Sequence, residues 1–324
     1  MIDPVTFLDD VLIEHAAFKA AVTRIDSFMK PGRQMIEPVG LAVLGLSGSG
    51  KSRVLETVYK QYPQNRQKNG LITPVIRVSV PSMPTVRSLA FHILTELDPG
   101  EHLKSTEDQM TRRICILMKQ CGTQMLMLDE FQHFYDKHSH KVWHRVADWL
   151  KVLIDATKCV LVVAGLPECT AVIAQNHQLS RRFRAPQILP QMLWDNAAGR
   201  SEFKACVKCF EKVISPHLTI QQLLDQDWNL RIWCATGGLM GHLKNFLSEL
   251  LMHAFETGAK RLVMKDFDIA HSRYLYSYAD GGGCLRPFTP SFRLEVTPQM
   301  MEAARTFGLP PSGPIERSRP KRAA

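Results

Sequence analysis

Apolar and polar positions alternate between two rhythms over the first two-thirds of the chain. Phe18, Val22, Ile25 and Met29 recur at helical spacing and predict a helix over residues 5–30, which "KPGRQ" at 30–34 breaks. "LAVLGL" (41–46) is an unbroken apolar run, as expected of a strand covered on both faces, and residues 51–62 return to helical spacing. "PVIRVSV" (74–80) predicts a second strand, followed by helices over 85–97 and 106–121. "MLMLDE" (125–130) and "CVLVVAGL" (159–166) predict two more buried strands, with the helical "HKVWHRVADWLKVLIDAT" between them. Strands alternating with helices imply an α/β fold with a parallel sheet. From about Leu193 the strands stop, and Leu243, Leu247, Leu250 and Ala254 mark a helical region. "GGG" at 281–283 opens a tail rich in Pro and Arg, whose end, "PPSGPIERSRPKRAA", predicts disorder. The expected division is an N-terminal helical segment at 1–36, a core at 37–190, a helical domain at 191–280 and an extended basic tail at 281–324.

Composition narrows the function. The 324 residues carry 40 Lys+Arg against 31 Asp+Glu, a net charge of +9, which favours an acidic partner such as nucleic acid or an anionic surface. The longest apolar run is about eight residues, against roughly 20 for a membrane span, so no membrane partner is expected. "MIDPVTFLDD" lacks the basic start of a signal peptide, so the expected location is cytoplasmic. Eight scattered cysteines then read as reduced, small hydrophobes. Cys206 and Cys209 form a C-x₂-C, with His217 and Cys234 downstream, but no second pair at zinc spacing exists and the segment reads as helical. His133, His138, His140 and His144 are irregularly spaced, as in a solvated loop.

"GLSGSGKS" (45–52) matches G-x-x-x-x-G-K-[ST], with a strand before it and a helix after it. Gly45, Gly48 and Gly50 allow the backbone to curl so that N–H groups and a helix N-terminus face an anion. Lys51 is expected to reach the β- and γ-phosphates of ATP, and the Ser52 hydroxyl to ligate Mg²⁺. The expected nucleotide-binding stretch also takes in Ser47, Ser49 and Arg53. Asp129 ends an apolar strand at the sheet edge where ligands gather, placing it to hold magnesium, and Glu130 follows it as the group to polarise water. That pair predicts an ATPase rather than a small-molecule kinase. Arg181 and Arg182, in "NHQLSRRFRAPQILP", sit beyond the sheet and are candidate arginine fingers for a neighbouring subunit's phosphates.

The stretch from Leu41 to Leu262 resembles the TniB/TnsC family of AAA+ ATPases, regulators of DNA transposition. The motifs that carry the resemblance are "GLSGSGKS", "PVIRVSVPSMPTVRSLAFHIL", "MLMLDEFQHF", "VLVVAGLPE", "LSRRF" and "TGGLMGHLKNFLSELLMHAFETG", in the family's order. It implies an AAA+ P-loop core followed by a helical lid, and an ATP-bound homo-oligomer, ring or filament, on double-stranded DNA. It also implies a transposase and a target-selection protein of the same element as partners. His242 stands where the lid often offers an arginine to the nucleotide, and Leu166 where the family places a polar sensor. Arg87, Lys104 and Thr106 map to the family's DNA-contacting loops. A P-loop switch in signalling or defence without DNA, and a helicase loader, remain the alternative readings.

Overall fold

A computed structural model describes residues 6–29, 37–67, 70–100, 104–136, 140–274 and 286–307. The first unit runs α1 (Ala16–Asp26), β1 (Gly40–Leu44), α2 (Lys51–Gln61), a hairpin of β2 (Asn65–Gln67) and β3 (Gly70–Ile72), then β4 (Val75–Ser79). It continues through α3 (Val86–Leu97), α4 (Glu107–Gln120), β5 (Met125–Asp129), α5 (His133–Asp136), α6 (His140–Thr157) and β6 (Val160–Gly165). Two short helices, α7 (Thr170–Ala174) and α8 (His177–Ser180), lead to β7 (Gln187–Ile188). A helical unit follows: α9 (Ala197–Ile214), α10 (Gln226–Thr236), α11 (Met240–Thr257), α12 (Met264–Tyr274) and α13 (Pro298–Thr306).

The strands form a parallel sheet in the order β4-β5-β6-β1-β7. Successive side chains point to opposite faces, so each unbroken apolar run fills two cores at once. Ala42 and Leu44 of β1, with Leu126 and Leu128 of β5, join the layer of α3, α4 and α6. Leu41, Val43, Met125 and Met127 face α1 and α2. Register aligns the strand ends: Ser79 lies opposite Asp129, and Leu44 opposite both Gly165 and Ile188. Every loop that leaves a strand's C-terminal end therefore emerges at one edge. Thr85 and Thr106 start α3 and α4 as capping boxes with Ser88 and Gln109.

Three stretches differ from the sequence reading. β7 is only two residues long and lies between Pro186 and Pro190, which hide an edge strand from any period-2 pattern. The N-terminal segment is not one helix. Leu8 is buried in the core of α9–α12, and Phe7, Val11 and Ile13 pack there too, while Phe18, Ala21 and Ile25 of α1 belong to the sheet unit. The expected extended tail is folded over its described part. Phe288 stacks on Phe246 with centroids 5.4 Å apart, and Met300, Met301 and Ala304 of α13 are buried in the helical unit. Residues 281–285 and 308–324 lie outside the described residues. Among those described, no helix is long and apolar enough to cross a membrane.

Candidate nucleotide site

The loop after β1 is built by backbone chirality. Gly48 (φ 76°) and Gly50 (φ 97°) adopt the left-handed conformation that L side chains rarely tolerate. Gly50 caps α2, whose first ladder bond runs from Val54 N to Gly50 O at 3.1 Å. The N–H groups of Lys51, Ser52 and Arg53 precede that bond and have no intrahelical partner, so the helix opens toward the loop with its positive end. Gly45 N donates to Gly165 O (3.2 Å), tying the loop's entry to the end of β6. Ser47 is exposed, and Ser52 and Arg53 are half-buried. Ser49 Oγ is buried without a hydrogen-bond partner.

Lys51 is 7% exposed, and its ammonium donates to Gly45 O (2.8 Å) and Leu46 O (2.9 Å). Burial pulls its pKa below the ordinary lysine value, opposed by the nearby charges of Glu130 and Asp129. A cation desolvated inside a glycine cradle at a helix N-terminus is the donor set that a triphosphate requires. Two carboxylates near Lys51, together with the hydroxyl of the next residue, Ser52, supply the kind of hard oxygen ligands that magnesium prefers. ATP and Mg²⁺ fit these residues.

Asp129 is 4% exposed at the end of β5. Its Oδ1 accepts from Glu130 N (3.0 Å), and its Oδ2 accepts from Arg77 Nη2 (3.1 Å), reaching across from β4. Glu130 sits at φ 55°, left-handed for a residue with a side chain, at a cost of about 1–3 kcal/mol. The bend is held by Phe131 N donating to Ala164 O (2.9 Å). Glu130 Oε2 accepts a hydrogen bond from Gln132 Nε2.

The helical unit closes over the loop. Gly241 N donates to Gly48 O (2.8 Å), and a Cβ on Gly48 would lie 2.7 Å from the His242 ring. His242 hydrogen-bonds the Tyr274 hydroxyl through Nδ1 and meets Phe307 edge-on at 5.0 Å. Burial lowers its pKa, so the ring is held in the neutral form near pH 7. The N-terminal segment adds a strap: Asp9 accepts Lys244 Nζ on Oδ1 (2.7 Å), and its main-chain carbonyl accepts from Arg53.

The sequence profile described as "Bacterial TniB protein" matches residues 6–192, more than half of the chain. The chain belongs to the TniB family. No curated protein sequence matches it. Its fold is similar to Cdc6p from Pyrobaculum aerophilum (TM-score 0.62, 12% identity, 86% of this chain and 73% of that one). It is similar also to the ORC1 protein of Aeropyrum pernix in complex with DNA (0.57, 13%, 84% and 69%). The ORC2 protein of Aeropyrum pernix, in ADPNP-ADP complexes, gives 0.58 at 12% identity over 84% and 72%. At such identities the likeness establishes the fold alone, the AAA+ ATPase fold of a parallel α/β core with a helical C-terminal part.

The two candidate finger arginines of this TniB-family chain differ. Arg182 is tied down: it pairs with Asp155 of α6 at 2.7 Å, and its carbonyl accepts from Gly40 N (2.9 Å). Arg181 is exposed. The turn holding both is stitched to Gly40, at the opposite end of β1 from the phosphate loop, about 13 Å along the strand at ~3.3 Å per residue. Neither lies at the chain's own phosphate loop.

The candidate DNA residues come together at another edge. Arg87, exposed on the first turn of α3, donates to Ser105 O at 3.4 Å, which joins it to the loop of Lys104 and Thr106. Lys104 and Thr106 are exposed, and Thr106 also caps α4. Cys206 is buried and Cys209 exposed, so the pair faces two sides of α9. His133 bonds the Val80 carbonyl at 2.8 Å and stands in α5 rather than in a loop.

Sequence reading missed Arg77, Gln132, Gly241 and Asp9. Arg77 had a signal, a lone cation inside an apolar strand, where a buried charge needs a partner. Gln132 had none, because its reach depends on the left-handed bend at Glu130.

Proposed function

We propose that this chain is an ATP-dependent DNA-binding regulator of DNA transposition. It assembles as a ring or filament on duplex DNA and recruits or activates a transposase. The observation that carries the reading is the convergence of Lys51, Asp129 and Glu130 on one strand edge in a member of the TniB family. Gly45 to Arg53 cradle the triphosphate, with Lys51 on its β- and γ-oxygens. Ser52 and Asp129 hold magnesium, which when bound neutralises charge on those oxygens. Glu130 polarises a water for in-line attack on the γ-phosphorus. The bond to the bridging oxygen breaks, ADP leaves with the electron pair, and the water's proton passes to Glu130. His242 contacts the nucleotide from the lid, and Arg181 reaches the adjacent subunit's site.

DNA is engaged by Arg87, Lys104 and Thr106 lining the assembly, which suits the +9 charge. These are phosphate contacts, so they hold any duplex rather than one sequence. A transposase and a target-selection protein of the same element are the expected protein partners. The DNA bound by the Aeropyrum pernix ORC1 protein motivates the DNA arm of the test. Glu130→Gln keeps shape but cannot take a proton, so turnover should fall about 10²–10⁴-fold while the ATP-loaded protein persists on duplex DNA. Retention on DNA is measured with and without ATP, then with the transposase added. Parental turnover in the variant, or DNA binding indifferent to nucleotide, would overturn the reading. Loading of a helicase instead of a transposase would place the chain among helicase loaders.

A further inference from the structure

We propose that Gln132 is the positioning residue for Glu130, fixing its carboxylate relative to the phosphate loop through a hydrogen-bond chain anchored on β6. This rests on the reading of Glu130 as the group that polarises water. Gln132 is 8% exposed and makes two bonds that run in opposite directions. Its Nε2 donates to Glu130 Oε2, and its Oε1 accepts from Leu166 N at 3.3 Å. The amide orientation is settled by the partners, since a carboxylate only accepts and a backbone N–H only donates.

The anchor is the same point that holds the phosphate loop. Gly165 O accepts from Gly45 N (3.2 Å), and the next residue's N–H engages Gln132. One peptide segment at the end of β6 therefore grips the loop on one side and the glutamate on the other. Gly165 leaves room for this: a Cβ there would lie 2.8 Å from Gln132 Oε1 and 3.1 Å from its main-chain nitrogen. The Leu166 side chain is apolar and offers Glu130 no hydrogen bond. The polar contact between this strand end and the carboxylate is supplied instead from the loop after β5.

Glu130 itself needs such a hold. Its backbone is in a strained conformation, and a half-buried carboxylate on a bend has several rotamers open to it. A bond from a buried amide removes that freedom before substrate arrives, which is how positioning lowers a barrier.

The test compares Gln132→Ala and Gln132→Glu in the full chain with MgATP and duplex DNA, reading kcat and KM separately. Thermal melting serves as the folding check. Both variants should lose about 10–100-fold in kcat, the scale of an ångström-level misplacement, with KM and nucleotide affinity within about twofold of the parent. The glutamate variant discriminates the role. It keeps the size of Gln132 and its bond to Leu166, so a merely structural residue would tolerate it better than alanine. Ionised, it repels Glu130 instead of donating to it, so above the pH at which the two carboxyls share a proton its kcat should fall at least as far as that of Gln132→Ala. Parental kcat in either folded variant, or a loss confined to KM, would overturn the inference. Glu130→Gln measured in parallel separates the two claims. If it is inactive while the Gln132 variants turn over normally, only the positioning role falls. If it turns over normally, the reading of Glu130 falls and this one with it.

Discussion

Replacing Lys51 with methionine should make the nucleotide-free protein more stable while abolishing its response to ATP. Lys51 is 7% exposed and its ammonium is held by two main-chain carbonyls, Gly45 O and Leu46 O, with no carboxylate at ion-pair distance among the described residues. Its pKa is lowered chiefly by burial. The folded chain thus binds that proton less tightly than the unfolded chain, for which the ordinary value is 10.5. The penalty is full below the lowered folded-state pKa and fades as pH rises toward 10.5. Methionine fills similar space without the charge. Trading buried charge for packed apolar groups is neutral to stabilising by about 1–4 kcal/mol, and two carbonyls left without donors return about 1–2 kcal/mol of that. The midpoints of those ranges leave a net gain of about 1 kcal/mol, which corresponds to roughly 2–4 °C in melting temperature at ~2–4 °C per kcal/mol. The parent at 100 times its Kd for MgADP gains about 2.7 kcal/mol more, and the variant should gain nothing. Differential scanning fluorimetry at pH 7 and pH 9.5, with and without MgADP, reads both effects, and the variant's advantage should shrink at the higher pH. A lower melting temperature for the variant without nucleotide, or a parental shift on adding it, would refute the reasoning.

The two finger arginines should separate cleanly. Arg182→Ala breaks the pair with Asp155 and should lower stability by about 1 kcal/mol, whereas Arg181→Ala should leave melting unchanged and depress assembly-stimulated turnover, as urea melts and ATPase assays with DNA would report. Arg87→Ala should weaken binding equally on unrelated duplexes and flatten the slope of log K against log salt by about 0.9 per contact removed, read by salt titration with fluorescence anisotropy. Met301→Ala should cost about 2–3 kcal/mol by opening a cavity under α13, visible in the same urea melts, since α13 is packed and not an extended tail.

Strands with unbroken apolar runs were legible because burial on both faces leaves no other composition open to them, as "LAVLGL" and "MLMLDE" illustrate. The phosphate loop was legible for a related reason: left-handed backbone at 48 and 50 can be met only by glycine at low cost. What escaped was set by tertiary reach. Leu8 reads as part of an amphipathic segment, yet it fills the core of a unit nearly 200 residues later, and no local period records that. The tail's Pro and Arg content reads as extended chain, but over 286–307 its few large apolar residues, Phe288, Met300 and Met301, are enough to dock it. In the site, Lys51, Asp129 and Glu130 follow from motif spacing, whereas Arg77 and Gln132 enter through cross-strand register and a bent backbone.

In the proposed assembly, the placement of Arg181 at the far end of β1 makes each subunit two-faced. One end of the strand carries the chain's own phosphate loop, and the other presents a cation to someone else's. Two copies related by a twofold axis meet this only as a closed antiparallel pair, whereas the proposed ring or filament repeats head to tail. A head-to-tail stack that does not close has unlike ends. The subunit at one end holds a nucleotide site with no incoming arginine, and the subunit at the other exposes an arginine with nothing to meet. On the proposed mechanism, terminal sites on that first end turn over slowest. The proposed assembly then carries a built-in arrow, with two ends that a partner can tell apart by chemistry alone.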